Sequence, residues 1–228
     1  MGSHVDGVER IGNTYRQEMK QYTPLKMIRA GRYRRCYDEL PQEQQREVLA
    51  EMVPMLVENA EWCDQGNYGH LSNILPTLAL DRVLQRHGMG AAEARETLAR
   101  HMWGALNPKP MQRLARLPFF MPLMKRVVPM GFRKGSGKGW RYVWHLDTDG
   151  PQEFHFECTE CLYKHIFSRY GVLERFGPMF CHADIINYGA LPHTDFIRTQ
   201  TLCQGGELCD FRFVRHPKNE TWQRSESI

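Results

Sequence analysis

At Trp140 the hydrophobic period of the chain changes, and that change limits the folds open to it. Upstream, apolar residues recur at helical spacing: Val48, Leu49, Met52, Val53, Leu56 and Val57, then Ile74, Leu75, Leu78, Ala79, Val83 and Leu84. Residues three and four apart share one face of a helix, so each run predicts an amphipathic helix. Downstream, Trp140, Tyr142, Trp144 and Leu146 alternate with other residues, as do Phe154, Phe156 and Cys158. A period of two places alternate side chains on one face of a strand. Helices first and strands afterwards predict an α+β chain: an N-terminal helical bundle, then an antiparallel sheet of about four strands with helices packed on one face.

Capping and breaking residues divide the helical part. One helix runs from Gln42 to Ala60, with a kink expected at Pro54. A second starts near Ser72 as N-cap and stops at His87-Gly88. A third covers Ala91 to Leu106, with Glu93 and Glu96 early and Arg100 and His101 late, as the helix dipole favours. Between 109 and 133, basic residues mix with Phe119, Phe120, Leu123, Met124, Val127 and Met130, but Pro118, Pro122 and Pro129 spoil a continuous helix. This stretch reads as a wall of the core or of an apolar pocket, and Pro118–Met130 as the candidate face of a homodimer. The segment Gly131–Gly139 fails as a phosphate loop, because Phe132 stands where the first glycine belongs and Gly139 where Ser or Thr would bind magnesium. It reads as a flexible linker.

After the linker, Asp147-Thr148-Asp149-Gly150 is a turn between two strands. A helix over 162–167 is ended by Gly171, another follows at 173–187, and strands at 194–203 and 207–215 meet through Gln204-Gly205-Gly206-Glu207. The expected organisation is residues 1–8 as a vector-derived scar without order, since Met1-Gly2-Ser3-His4 has that look; 9–133 as the helical part; 140–216 as the α+β catalytic part; and 217–228 as a flexible tail.

Composition excludes several classes of function. A hydrophobic content of 42% is enough to bury a core. Thirty basic against 26 acidic residues, a net charge of +4, is too balanced to point to a nucleic-acid partner. Arg29, Arg32, Arg34 and Arg35 do surround Tyr33 and Tyr37, but such a run is more simply a solvated helix face. No run of about 18 apolar residues exists, so no membrane span is expected. Nor is there a signal-peptide pattern, which points to a cytoplasmic protein. Seven cysteines, an odd number, then read as thiols, ligands or a nucleophile rather than as a disulfide framework.

Function is to be sought between Phe154 and Phe213, which hold five of those cysteines together with His155, His182, His193, Asp184, Asp195, Arg198 and Asp210. Cys158-Thr-Glu-Cys161 has the spacing of a redox pair or of half a zinc site, and a thiolate at a helix N-terminus has a lowered pKa. Cys158, Cys161, Cys181, His182 and Cys209 offer enough ligands for zinc, but no second paired motif completes the pattern. The cofactor expected is therefore none, or a single divalent metal (zinc, iron or manganese) on Cys158, Cys181 and Cys209. Each cysteine also fits as a small buried hydrophobe, Cys203 most of all, and its replacement by alanine is expected to be close to silent.

The ordered set Phe154-x-Phe156-x-Cys158, Cys181-x-x-Asp184, Phe196-x-Arg198-Thr199-x-Thr201-Leu202, then Gly205 and Cys209-Asp210-Phe211-Arg212-Phe213, resembles the L-2-amino-thiazoline-4-carboxylic acid hydrolase family. The resemblance covers the C-terminal third well and the helical part mainly in layout; Cys161 and Cys203 are not part of the pattern. It implies a small-molecule hydrolase that opens a 2-amino-thiazoline ring on the route to cysteine, acting on a substrate with a carboxylate. Such chemistry adds water or a thiolate to an amidine-like carbon, protonates a leaving group and holds the carboxylate. Arg198 would grip the carboxylate bidentately, helped by Thr199, Thr201, His182 and Asp210. Asp184 would neutralise the amidinium or act as general base. Cys158 or Cys181 would be the nucleophile, activated by His155 or His182, and Cys209 belongs to the same catalytic set. Set against this, Arg198 and Asp184 also fit a buried ion pair, and Cys209-Asp210 plain turn chemistry. A metal- or cofactor-binding sensor module without turnover is the competing function.

Overall fold

A computed structural model describes residues 20–217 of the chain. The expectations for 1–8, for 9–19 and for the tail beyond 217 lie outside the described residues. The described residues fall into two compact units, one of 20–102 with 135–138 and one of 103–134 with 139–217.

The first unit is helical: α1 (Pro24–Ala30), α2 (Arg34–Asp38), α3 (Gln42–Glu58), α4 (Tyr68–Arg86) and most of α5 (Ala91–Gly104). α1 and α3 pack on α4. Leu71, Ile74, Leu75, Leu78, Leu80 and Val83 of α4 are all buried, so this helix is apolar around most of its circumference and forms the centre of the unit. α4 begins five residues earlier than its sequence suggests, because Asn67 rather than Ser72 is the N-cap and Ser72 is buried within the helix. It also runs through Pro76, whose missing N–H leaves the Ser72 carbonyl without its helical donor. Gly31 packs on that carbonyl: a Cβ there would stand 2.0 Å from Ser72 O. Tyr33 and Tyr37 are buried and therefore offer no stacking surface, while Arg34 and Arg35 pair with Asp38 and Glu39 along their own helix. The glycine-rich segment is held rather than slack. Asn67 Nδ2 donates to Lys138 O at 2.9 Å, and the Lys138 N–H donates to Asp64 Oδ2 at 2.8 Å.

The second unit contains α6 (Lys109–Leu114), α7 (Phe120–Gly135), β1 (Arg141–Trp144), β2 (Glu153–Glu160), α8 (Leu162–Arg169), α9 (Leu173–Tyr188), β3 (Thr194–Ile197) and β4 (Cys209–Arg215). Contrary to the proline argument, α7 is continuous. Pro122 falls in its first turn, where an N–H has no helical acceptor, and burial of Phe120, Met121 and Met124 offsets the bond lost at Pro129. The four strands form one antiparallel sheet in the order β1-β2-β4-β3. Alternation sends Phe154 and Phe156 of β2 and Phe213 of β4 into the core, against α7 and the aromatic ring of Tyr188, and puts Cys158 and Cys209 on the same buried face of the sheet. Together the elements make the α+β architecture expected from the period change. Among the described residues, no helix is long and apolar enough to cross a membrane.

Strand β4 ends with Arg215, which is buried and answers a demand of the helical segment before α7. Its Nη1 and Nη2 donate to Ala115 O at 2.9 Å and Leu117 O at 2.8 Å. These carbonyls follow α6, where the last helical C=O groups have no partner within the helix.

Candidate functional site

Register, a helix start and a short turn gather five thiols at one end of the sheet. Cys158 and Cys209 are partners across the β2–β4 ladder, both on the apolar face. Cys161 is the N-cap of α8, and Cys181 lies on a buried side of α9. Cys203 sits in a 3-10 turn, Leu202–Gln204. All five are buried in one cluster with Leu202, and every cysteine of the chain is a free thiol.

That turn was expected to be strand. β3 instead stops at Ile197, because the amides that would have continued it are taken by a carboxylate. Asp210 accepts from Thr199 N at 2.9 Å, from Gln200 N at 2.8 Å and from the Thr199 hydroxyl at 2.7 Å. Burial works against the Asp210 charge, but these donors outweigh it and hold the carboxyl below its usual range. The chain then folds inward, and Gly205, at φ +87°, reverses it in the left-handed region. The turn closes on α9 at Gly177, where a Cβ would stand 2.8 Å from Cys203 Cβ.

Five neighbouring thiols share protons unequally. Cys181 is pushed below the ordinary thiol value: the Cys203 thiol donates to it, this outweighs burial, and the Thr201 hydroxyl and Arg198 guanidinium add to the effect. Cys203 is pushed up by its contacts with Cys161 and Cys181 and by burial. Across the strands, the Cys158 thiol lowers Cys209, whose sulfur also accepts the Leu202 N–H at 3.2 Å. Cys158 is raised by that same contact and by burial, and its sulfur also lies 3.0 Å from Glu160 O. Cys203 thus faces both Cys181 and Cys161, and Cys158 both Cys209 and Glu160 O, and each donor's one proton serves one acceptor at a time. Away from the cluster, burial pushes Cys36 and Cys63 up to about 12.

Arg198 joins this cluster to α9. Its side chain is 7% exposed, and Nη1 donates to Asp184 Oδ2 at 2.9 Å and to Cys181 O at 3.0 Å. With Thr199, Thr201, Gln204 and Gly205 it lines an open concavity. The Thr201 hydroxyl lies 2.9 Å from Gln204 Oε1 and also reaches the Cys181 sulfur; its one proton serves one acceptor at a time.

Of the residues singled out by sequence, Cys158, Cys181, Cys209, Asp184, Arg198, Thr199, Thr201 and Asp210 therefore lie in one neighbourhood. Two imidazoles do not join them. His155 points to the opposite face of the sheet from Cys158, as an offset of three along a strand requires. His182 is exposed on α9 and stacks on Trp103, with ring centroids 4.7 Å apart. Cys203 is buried, as its reading as a small core residue requires, and its position beside Cys181, which the Gly205-Gly206 pair hinted at, depends on Gly177 and on the turn set by Asp210. Among the described residues, the trio of potential metal ligands with donor atoms all within 4.8 Å of one another is His145, His155 and Glu157, not a set of cysteines.

The family model described as L-2-amino-thiazoline-4-carboxylic acid hydrolase matches residues 78–213, which include all five clustered cysteines and the Asp210 loop. No curated protein matches the chain, and no solved structure does.

Proposed function

Because the chain belongs to the L-2-amino-thiazoline-4-carboxylic acid hydrolase family, we propose that it is a hydrolase opening a small C–N/C–S heterocycle that carries a carboxylate, with Cys181 as nucleophile. The observation that carries this reading is the convergence on one sulfur of the Cys203 thiol, the Thr201 hydroxyl and the Arg198 charge, beside an open concavity. Donors of that kind favour the thiolate, which is the reactive form.

In this reading the Cys181 thiolate adds to the amidine-like carbon, and the C=N electron pair moves onto nitrogen. A ring C–S or C–N bond then breaks as the departing atom takes up a proton. Water adds to the same carbon and expels the Cys181 thiolate, so one water is consumed and the thiol is restored. Arg198 and Thr199 receive the substrate carboxylate, Asp184 balances the guanidinium and faces the amidinium, and Asp210 holds the loop that carries Thr199. Cys209, with Cys158 as its proton donor, forms a second thiol pair that supports the wall of the site.

The test is turnover of L-2-amino-thiazoline-4-carboxylate by the full chain and by Cys181→Ser, with substrate binding followed by calorimetry. The expected result is turnover that falls about 10²-fold or more in the variant while binding persists. Wild-type rates in Cys181→Ser would remove this thiol from the mechanism. Binding without turnover by the unaltered chain would favour the sensor module instead.

A further inference from the structure

The face of the sheet turned away from the thiols carries a second cluster. Strand β1 is followed at once by His145, whose N–H donates to His155 O at 3.2 Å, so the two histidines stand opposite each other on adjacent strands. Their rings lie nearly parallel, 11° apart in plane and 4.2 Å between centroids. Glu157 is two residues further along β2 and so shares their face. Its Oε1 lies 3.4 Å from His145 Nε2 and 4.0 Å from His155 Nε2.

These spacings are those of ligands around one ion. Zinc bonds nitrogen and oxygen at about 2.0–2.2 Å, and a tetrahedral angle then separates two donor atoms by about 3.4 Å. His145 Nε2 is buried and makes no hydrogen bond, although the Glu157 carboxylate is in ion-pair range. A buried polar atom without a partner is costly, and a cation between it and Glu157 would remove that cost. The backbone under the cluster is fixed. Asp149 Oδ2 accepts the His155 N–H at 2.6 Å, and the Thr148 and Asp149 N–H groups both donate to His145 O, at 3.1 and 3.0 Å. The neighbouring cation in register, Arg212, is paired with Glu153.

We propose that His145, His155 and Glu157 bind one divalent first-row transition-metal ion. Two imidazoles and one carboxylate suit zinc, iron(II), cobalt, nickel or copper and do not suit magnesium or calcium, which prefer all-oxygen sites. Three protein ligands leave coordination positions open to water or to an acidic group of a small molecule. The parallel rings must tilt toward each other to aim both lone pairs at the ion, a rotation about the soft χ2 torsion. The site shares no residue with the proposed thiol chemistry and stands or falls independently of it.

Cobalt(II) is the probe, titrated into the tag-free full chain by calorimetry and absorption. One equivalent should bind without thiolate-to-cobalt charge-transfer bands. Affinity should fall at least about tenfold in His145→Ala and in Glu157→Gln and be unchanged in Cys158→Ser. Glu157→Gln keeps the shape of the side chain, so its melting temperature without metal should match the parent, and cobalt should raise the parent's melting temperature alone. No binding, equal binding by the His145 and Glu157 variants, or charge-transfer bands that vanish with Cys158→Ser would each overturn the proposal.

Discussion

Arg198 and Asp184 are joined at 2.9 Å, and the same Arg198 Nη1 also reaches the carbonyl of Cys181 at 3.0 Å. One guanidinium therefore fixes both an acid on α9 and the backbone of the proposed nucleophile. Asp184→Asn keeps the shape but removes the charge, and should cost about 1–3 kcal/mol in urea unfolding, since a hydrogen bond to a charged group is lost at a mostly buried donor. Arg198→Lys keeps the charge and loses the planar fork. If Arg198 also receives a substrate carboxylate, this variant should raise KM by more than it lowers kcat. A variant that only melts earlier, with unchanged KM, would leave Arg198 as a structural ion-pair partner alone.

The environment of Cys181 predicts an effect of Cys203 at a distance from any substrate. With the Cys203 thiol gone, Cys181 loses its main hydrogen-bond donor, and its pKa should rise. At a fixed pH near neutrality the thiolate fraction falls as the pKa rises. The pH profile of Cys181 alkylation, followed by mass mapping, should therefore move to higher pH in Cys203→Ala, and less so in Thr201→Val. An unmoved profile in Cys203→Ala would restore the reading of Cys203 as an inert core filler.

Two glycines mark places where the chain packs too closely for a side chain. A Cβ at Gly31 would overlap the Ser72 carbonyl at 2.0 Å, and backbone cannot give way cheaply. Gly31→Ala should cost about 3 kcal/mol, measured by urea unfolding. At Gly177 the obstacle is the Cys203 Cβ at 2.8 Å, on a turn that can shift. Gly177→Ala should cost about 1–3 kcal/mol and also move the Cys181 alkylation profile as Cys203→Ala does. Stability within error of the parent in either variant would contradict the packing described.

The period change at Trp140 revealed the α+β order because side-chain periodicity is set by backbone geometry alone. The β1–β2 hairpin and helices α8 and α9 were legible for the same reason. What stayed hidden depends on partners remote in sequence. Pro122 and Pro129 looked like helix breakers, yet α7 buries Phe120, Met121 and Met124, a gain that no local propensity records. The end of β3 was hidden because it is decided by Asp210, eleven residues beyond Thr199. Sequence named Cys158, Cys181 and Cys209, which the fold brings into one cluster, but it paired them with His155 and His182 through nearness in the chain. Strand alternation sends His155 to the other face, and His182 stacks on Trp103.

Asp210 gives the loop beside the concavity its dependence on pH. Its carboxyl is held below the usual range in the folded chain, because the Thr199 and Gln200 donors outweigh its burial. A group whose folded pKa is lowered contributes stability that is complete above its unfolded value, about 3.9 for aspartate, and is lost as pH falls through the folded value. The loop should therefore be indifferent to pH from neutrality down to about pH 4 and loosen in stronger acid. The amide proton shifts of Thr199 and Gln200 report this locally, and both should titrate together with a midpoint below that of an ordinary aspartate. In Asp210→Asn the amides lose their charged acceptor at every pH, so the shared titration should disappear and the parent's acid-form shifts should be present at neutrality. If the two amides still titrate together in Asp210→Asn, another carboxylate governs the loop and the role given to Asp210 is wrong.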